Sequence, residues 1–270
     1  MDPAAALAEL RSRFLSYGGD RPVIALAIRW CEDHLPGPAD PVLVHGDYRM
    51  GNIMVDVTKE GGGLAAVLDW ELAHRGDAHE DLAFGCMTVW RFGRIDQPAF
   101  GVGSLADYFA AYEAAGGPAV DRTRFDFWLV YRTLWWALGC LQMGQMWRNG
   151  ADPTVERVVI GRRTAEQELD LLLLLETEAP EAERARPLPP ATSASSAPVG
   201  EPTNREIVQA VREWVEGSVK PGAAGHAKFE AVVAMNALGI VLRDLDAGVR
   251  AEDMELAAAL LAGTTTLAEP

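Results

Sequence analysis

The chain has 270 residues, 49% of them hydrophobic, with 24 Lys and Arg against 39 Asp and Glu and a formal net charge of −15. That length and apolar share support one or two domains with sizeable cores, and the acidic balance speaks against nucleic acid or an anionic membrane as the main partner. Cys31, Cys86 and Cys140 are too widely spaced for a disulfide framework or a metal-ligand set, and they read as small buried residues in a reducing compartment.

The N-terminal MDPAAALAELRSRF carries acids early and lacks an apolar h-region, so it does not read as a secretory signal. The most apolar run, Leu171 to Leu175, is too short to span a bilayer, and the expected location is the cytoplasm. Helical periodicity covers Ala4 to Phe14 and Pro22 to His34, the second with Pro22 at its start and Pro36 beyond its end. Three short apolar runs then read as strands: Pro41 to His45, Asn52 to Asp56, and Leu64 to Trp70. The turn-rich VTKEGGG joins the last two as a hairpin.

After Trp70 the pattern is helical. Asp77 and Glu80 form a capping box for a helix through Trp90, and another helix is expected from Ser104 to Ala115. Asp121 caps a long helix containing Trp128, Trp135 and Trp136, and Asp152-Pro153 opens one ending near Glu176. Residues 178–202, rich in Pro, Ala and Ser, bury too little to offset their ordering entropy and read as a flexible linker. Beyond it, residues 203–265 read as a small three-helix module. Its first helix is capped by Thr203 and Glu206 and broken after Glu216 by Gly217 and Pro221-Gly222. Ala223 to Leu245 is its central helix, and Glu252 to Leu261 its third.

The chemistry concentrates in VHGDYRMGN, Val44 to Asn52. Phosphoryl transfer asks a protein to position a hydroxyl, hold magnesium and spread developing charge. Asp47, on a loop after a buried strand, suits a base. Asn52 and Asp69 offer hard oxygen ligands of the kind Mg²⁺ prefers, and Arg49 is placed to steady a phosphate. His74, His79 and Glu80 lack a convincing third metal ligand, Gly61 to Gly63 is a hairpin turn rather than a phosphate loop, and the Trp135-Trp136 stripe reads first as core.

The pieces HGDYRMGN, VLDWELAHRGD and EDLAF, in that order, closely resemble the aminoglycoside phosphotransferase-like family, the small-molecule branch of the protein-kinase-like fold. The resemblance is strongest over Pro41 to Phe84. It implies an α+β, mostly helical fold: a kinase-like C-lobe over residues 1–177 with a small β-hairpin region, and the helical module behind the linker. It implies Asp47 as catalytic base, with Arg49 beside it and His45 as a loop-ordering residue. Asn52 and Asp69 would be the Mg²⁺ and nucleotide ligands, with Asp81 and Glu71 in support. ATP and Mg²⁺ would be the co-substrate and cofactor, and a small-molecule hydroxyl the acceptor.

The family's N-lobe carries a glycine-rich loop and a strand lysine that grip the phosphates. Met1 to Asp40 contain neither. The expectation is therefore a C-lobe that is complemented by a separately encoded N-lobe protein, or that is truncated, or that serves as a non-catalytic binding module acting through a partner. A broad exposed apolar surface on the lobe's upper face would favour complementation. The helical tail weakly resembles an uncharacterised domain attached to, or encoded beside, such phosphotransferases, and a module of this kind behind a linker serves association.

Overall fold

The computed structural model describes residues 2–58, 63–152, 155–187, 204–247 and 253–264, and they form a mostly helical α+β fold with two small two-stranded sheets. Helix α1 (Pro3–Ser16) is capped by the Asp2 carboxylate, which accepts the Ala4 N–H at 3.1 Å. Helix α2 (Pro22–Asp33) begins on a proline, whose missing N–H is harmless in a first turn. Its buried residues Ile24, Ala25, Ile28 and Cys31 recur at one helical face and set it into the core.

Four short strands follow: β1 (Val42–Val44), β2 (Ile53–Val55), β3 (Leu64–Val67) and β4 (His74–Gly76). Strands β2 and β3 pair antiparallel as the expected hairpin, whose turn, residues 59–62, lies outside the described residues. Strand β4 was not expected, because His74-Arg75-Gly76 has neither alternation nor β-branched residues. Its conformation comes from antiparallel pairing with β1, Val44 facing His74.

Helix α3 (Ala78–Phe84) is shorter than the expected run to Trp90. Past it, the Phe100 N–H takes the Gly85 carbonyl at 3.2 Å, a group that a continuing helix would use itself, and Thr88–Arg91 form a separate 3-10 turn. The box at its start is half formed: Asp77 caps the His79 N–H, while the Glu80 side chain points elsewhere. Helix α4 (Leu105–Ala114) forms where a helix was expected from Ser104, whose hydroxyl caps it by accepting the Asp107 N–H. Helix α5 (Arg122–Arg148) is the central element, with Phe125, Phe127, Trp128, Leu134 and Leu138 fully or nearly fully buried on several sides. Each such side chain contributes about 1.5–3 kcal/mol of apolar burial.

The single helix expected up to Glu176 is two, α6 (Val155–Arg162) and α7 (Thr164–Leu175). Gly161 lies so close to α5 that a Cβ there would meet Gly144 Cα at 2.8 Å. The chain kinks at Arg163 after this close crossing, and α7 then buries Leu171 and Leu175 in the core. The segment read as linker begins with a 3-10 turn and a one-turn helix, α8 (Glu181–Arg184), and residues 188–202 of it lie outside the described residues.

Helix α9 (Asn204–Trp214) begins beside Thr203, so the cap expected from that residue also lies outside the described residues. Gly217 and Pro221 do not break the chain where expected. The backbone stays helical through a π-type turn (Val215–Val219) and α10 (Lys220–Gly222), where Pro221 occupies a first-turn position. Helix α11 (Gly225–Ala247) packs against α9 and also against α6, with ion pairs Arg162–Asp244 and Arg205–Asp246 at its C-terminal end. Helix α12 (Asp253–Ala262), expected to pack on α11, lies instead on α2. There Ala257, Leu260 and Leu261 join the main apolar cluster, and Arg11 donates to the Leu261 carbonyl at 3.3 Å. Over Gly225–Asp246, α11 is long and apolar enough to cross a membrane by length and composition, a property that the short Leu171–Leu175 run does not have.

Candidate active site

The loop between β1 and β2 carries the motif residues, and the two sheets hold it from either side. Gly46 has φ 84°, and a Cβ there would stand 2.6 Å from the Leu72 carbonyl oxygen, so the middle position of His45-Gly46-Asp47 admits only glycine. Below the loop, the Asp81 carboxylate on α3 accepts the N–H of His45 at 2.6 Å and of Gly46 at 2.9 Å. Burial pushes the Asp81 carboxyl upward, against the pull of these two bonds.

His45 has both ring nitrogens engaged. Nε2 is 2.8 Å from the Leu68 carbonyl and Nδ1 accepts the Asp47 N–H at 3.2 Å, so the neutral tautomer with Nε2–H satisfies both partners. Its ring also packs against Trp70 at 4.6 Å. A histidine tied in this way links the loop to the end of β3.

Asp47 is the group in the loop best placed to act as a base. Oδ1 accepts from Arg49 Nε at 3.0 Å and Oδ2 from Asn52 Nδ2 at 2.7 Å, which fixes the carboxylate and leaves each oxygen a further lone pair. Arg49 itself lies over the Trp90 ring, 4.7 Å from its centroid, so its approach to Asp47 is held by packing as well as charge. Asn52 is buried and donates a second time to the Asp47 carbonyl at 2.9 Å. Both amide protons are thus directed at Asp47, and Oδ1 of Asn52 has no partner among the described residues.

The Leu68 N–H bonds to the Asn52 carbonyl at 2.8 Å, which ties the end of β3 to the loop and sets Asp69 one residue further on. Asp69 adopts a left-handed conformation, φ 64° and ψ 63°, uncommon outside glycine. Its side chain is exposed and makes no hydrogen bond or ion pair among the described residues. An amide oxygen and a carboxylate without partners are a donor set suited to a hard cation. Among the described residues no group of three or more His, Cys, Asp and Glu could cage a metal. Two protein oxygens are what Mg²⁺ takes where waters and substrate phosphates complete its shell.

Glu71, expected in support, lies exposed in the turn Trp70–Leu72 and makes none of these contacts. The support comes from residues that local motifs do not reveal. Arg132 on α5, 3% exposed, donates to the Gly46 carbonyl and to Glu80 Oε1 at 3.1 Å, and lies over the rings of Phe84 and Trp135. Glu80, fully buried, takes a second bond from His74 on β4 at 3.1 Å, and that bond raises the His74 pKa. His74 and Glu80, considered above as metal ligands, are therefore members of a buried ion-pair network. Asp77 anchors a second one. Burial opposes its charge, but bonds from His79, Trp128 and Arg124 outweigh burial and hold its carboxyl well below the usual range. The arginine and acid spacings are non-local, and only the buried acids next to the motif hinted at them.

Residues 2–120 match the model of the phosphotransferase enzyme family (APH). Acyl-CoA dehydrogenase family member 10 of Mus musculus is 32% identical over 114 residues, 38% of this chain and 10% of that protein. Acyl-CoA dehydrogenase family member 11 of Gallus gallus is 33% identical over 95 residues, 35% of this chain and 12% of that protein. The chain thus spans about a tenth of the length of these curated relatives. A crystal structure described as a candidate aminoglycoside phosphotransferase from Ralstonia eutropha JMP134 superposes with a TM-score of 0.54 at 22% identity. That match covers 64% of this chain and 55% of the other, and it supports the fold.

Proposed function

We propose, from the premise that residues 2–120 form a phosphotransferase-family lobe of kinase-like fold, that this chain transfers the γ-phosphoryl group of ATP to a hydroxyl of a small molecule. It does so once a nucleotide-gripping lobe is supplied from outside these residues, by a contiguous longer polypeptide or a separate one. The observation that carries the reading is the loop folded as one hydrogen-bonded unit: Asp81 beneath His45 and Gly46, Asn52 on Asp47, and Leu68 on Asn52.

In this reading Asp47 accepts the hydroxyl proton on one of its remaining carboxylate lone pairs as the oxygen becomes a nucleophile. Arg49 and Asn52 keep that carboxylate aimed, and Arg49 adds positive charge beside the transferring group. Asn52 Oδ1 and the Asp69 carboxylate would hold Mg²⁺, whose chemistry is to neutralise phosphate charge. Charge-assisted grip on the α- and β-phosphates needs a lysine and a glycine-rich loop. Residues 1–40 contain neither, so the lobe alone binds nucleotide weakly.

The exposed apolar face around the loop supports complementation. Leu43 is 67% exposed and Trp70 48%; Val42, Met54, Val55 and Leu64 are also exposed on the two sheets, and Leu68 and Leu72 on the segment between β3 and β4. A face of this kind is normally covered. The location we propose is the cytoplasm, where ATP and Mg²⁺ are supplied. The test is nucleotide titration: ATP affinity should be weak for the chain alone, and should rise at least about tenfold, in a Mg²⁺-dependent way, with a lobe carrying the lysine and glycine-rich loop. Unchanged affinity in the complemented protein would count against the reading.

A further inference from the structure

A cavity of about 750 Å³ opens between the α6–α7 turn and the helices α9 and α11, away from the motif loop. Its size suits a small organic ligand. Three arginines, Arg163, Arg212 and Arg243, and one acid, Glu166, are the charged residues that line it, a local positive balance in a chain of net charge −15. Arg163 is compensated, its Nε 2.9 Å from Glu166. Arg212 and Arg243 have no hydrogen bond or ion pair among the described residues, although carboxylates nearby, Asp244 and Asp246, pair with Arg162 and Arg205.

The two uncompensated groups converge. Arg243 Nη1 and Arg212 Nε lie 3.7 and 3.8 Å from one point, the place a Cβ would occupy at Gly239. Two like charges facing one point repel, and an oxyanion between them relieves the repulsion through charge-assisted bonds. A glycine in the interior of a 23-residue helix weakens it relative to alanine, and this one keeps the point between the guanidiniums open. Phe229, half exposed, with Val233 and Ile240 supplies an apolar part of the remaining wall, beside the amide of Asn236.

We propose that this cavity binds an amphiphilic oxyanion, with a phosphate or carboxylate head between Arg212 and Arg243 and an apolar body along Phe229, Val233 and Ile240. The site is independent of the phosphotransfer reading and would hold if that reading failed.

Isothermal titration of the full chain with decyl phosphate and with decanoate, each below its aggregation concentration, tests it. At least one should bind saturably at one site, and inorganic phosphate about tenfold or more weaker. Removing two charge-assisted partners in Arg212→Gln/Arg243→Gln should weaken binding by about tenfold or more, while Arg94→Gln, at an exposed pair elsewhere, leaves it unchanged. Gly239→Ala should raise Tm yet weaken binding, a combination that damage to the fold does not produce. A further arm uses vesicles containing phosphatidic acid. Binding to monomers alone points to a soluble ligand, and binding to both points to a lipid headgroup. No saturable binding of either monomer, binding only to vesicles, or affinity undiminished in the double variant overturns the proposal.

Discussion

Replacing Arg132 by methionine tests the buried network beneath the loop. Arg132 and Glu80 are 3% and 0% exposed and meet at 3.1 Å, and the guanidinium also lies 4.5 Å from the Phe84 ring centroid and 4.2 Å from that of Trp135. Methionine preserves most of the stem volume but strands the Glu80 carboxylate with His74 as its remaining side-chain partner. Breaking one side of a buried pair costs about 3–5 kcal/mol. At about 2–4 °C of Tm per kcal/mol for a domain of this size, the expected loss is roughly 6–20 °C. Thermal unfolding followed by circular dichroism reads it. Adding Glu80→Gln removes the stranded charge and should recover part of the loss, so the double variant melts above Arg132→Met. A single-variant shift under about 3 °C, or a double variant no more stable than Arg132→Met, would refute the assignment.

The same network predicts a pH dependence. Its bond to Glu80 raises the His74 pKa, so this contribution is fully present below the unfolded value and is lost as pH rises through the folded one. Tm should fall across that window in the native chain, and less so in His74→Gln. Asp170, pushed up to about 6 chiefly by burial against the pull of Arg91, destabilises the fold when ionised. Its stabilising contribution is complete below the unfolded pKa and lost as pH rises through about 6. Asp170→Asn should therefore raise stability at pH 8 by about 1 kcal/mol after solvent screening, and by little at about pH 3, below the unfolded pKa. An equal gain at both pH values would contradict this. Gly46→Ala forces a side chain into a left-handed backbone and against the Leu72 carbonyl, and should cost about 2 kcal/mol or more in denaturant unfolding.

How much of this was legible in the sequence depended on range. The motif loop and the β2–β3 hairpin are local, with turn residues and apolar runs adjacent in the chain; the first helix showed in its periodicity, and those at Pro22 and Arg122 in a proline and a cap. Strand β4 did not, because the propensity of His74-Arg75-Gly76 is overridden by pairing with β1. The Arg132–Glu80 pair joins residues 52 apart, and no spacing rule links them. The kink at Arg163 depends on a glycine contact between two helices, and the seat of α12 on α2 on a surface that only the assembled fold presents. For the site, the motif named Asp47, Asn52, Asp69 and Asp81. It did not reveal that Arg49 is held on Trp90, nor that Glu71 stands apart.

The most direct measurement is Mg²⁺-dependent ADP release by the chain complemented with a nucleotide-binding lobe, over a panel of small alcohols, compared between the native protein and Asp47→Asn. The account predicts turnover with at least one alcohol, lowered about 10²–10⁴-fold by Asp47→Asn, while nucleotide affinity and Tm stay near native. Turnover that survives Asp47→Asn would contradict it, as would a complemented protein that binds Mg²⁺ and ATP yet transfers phosphate to nothing.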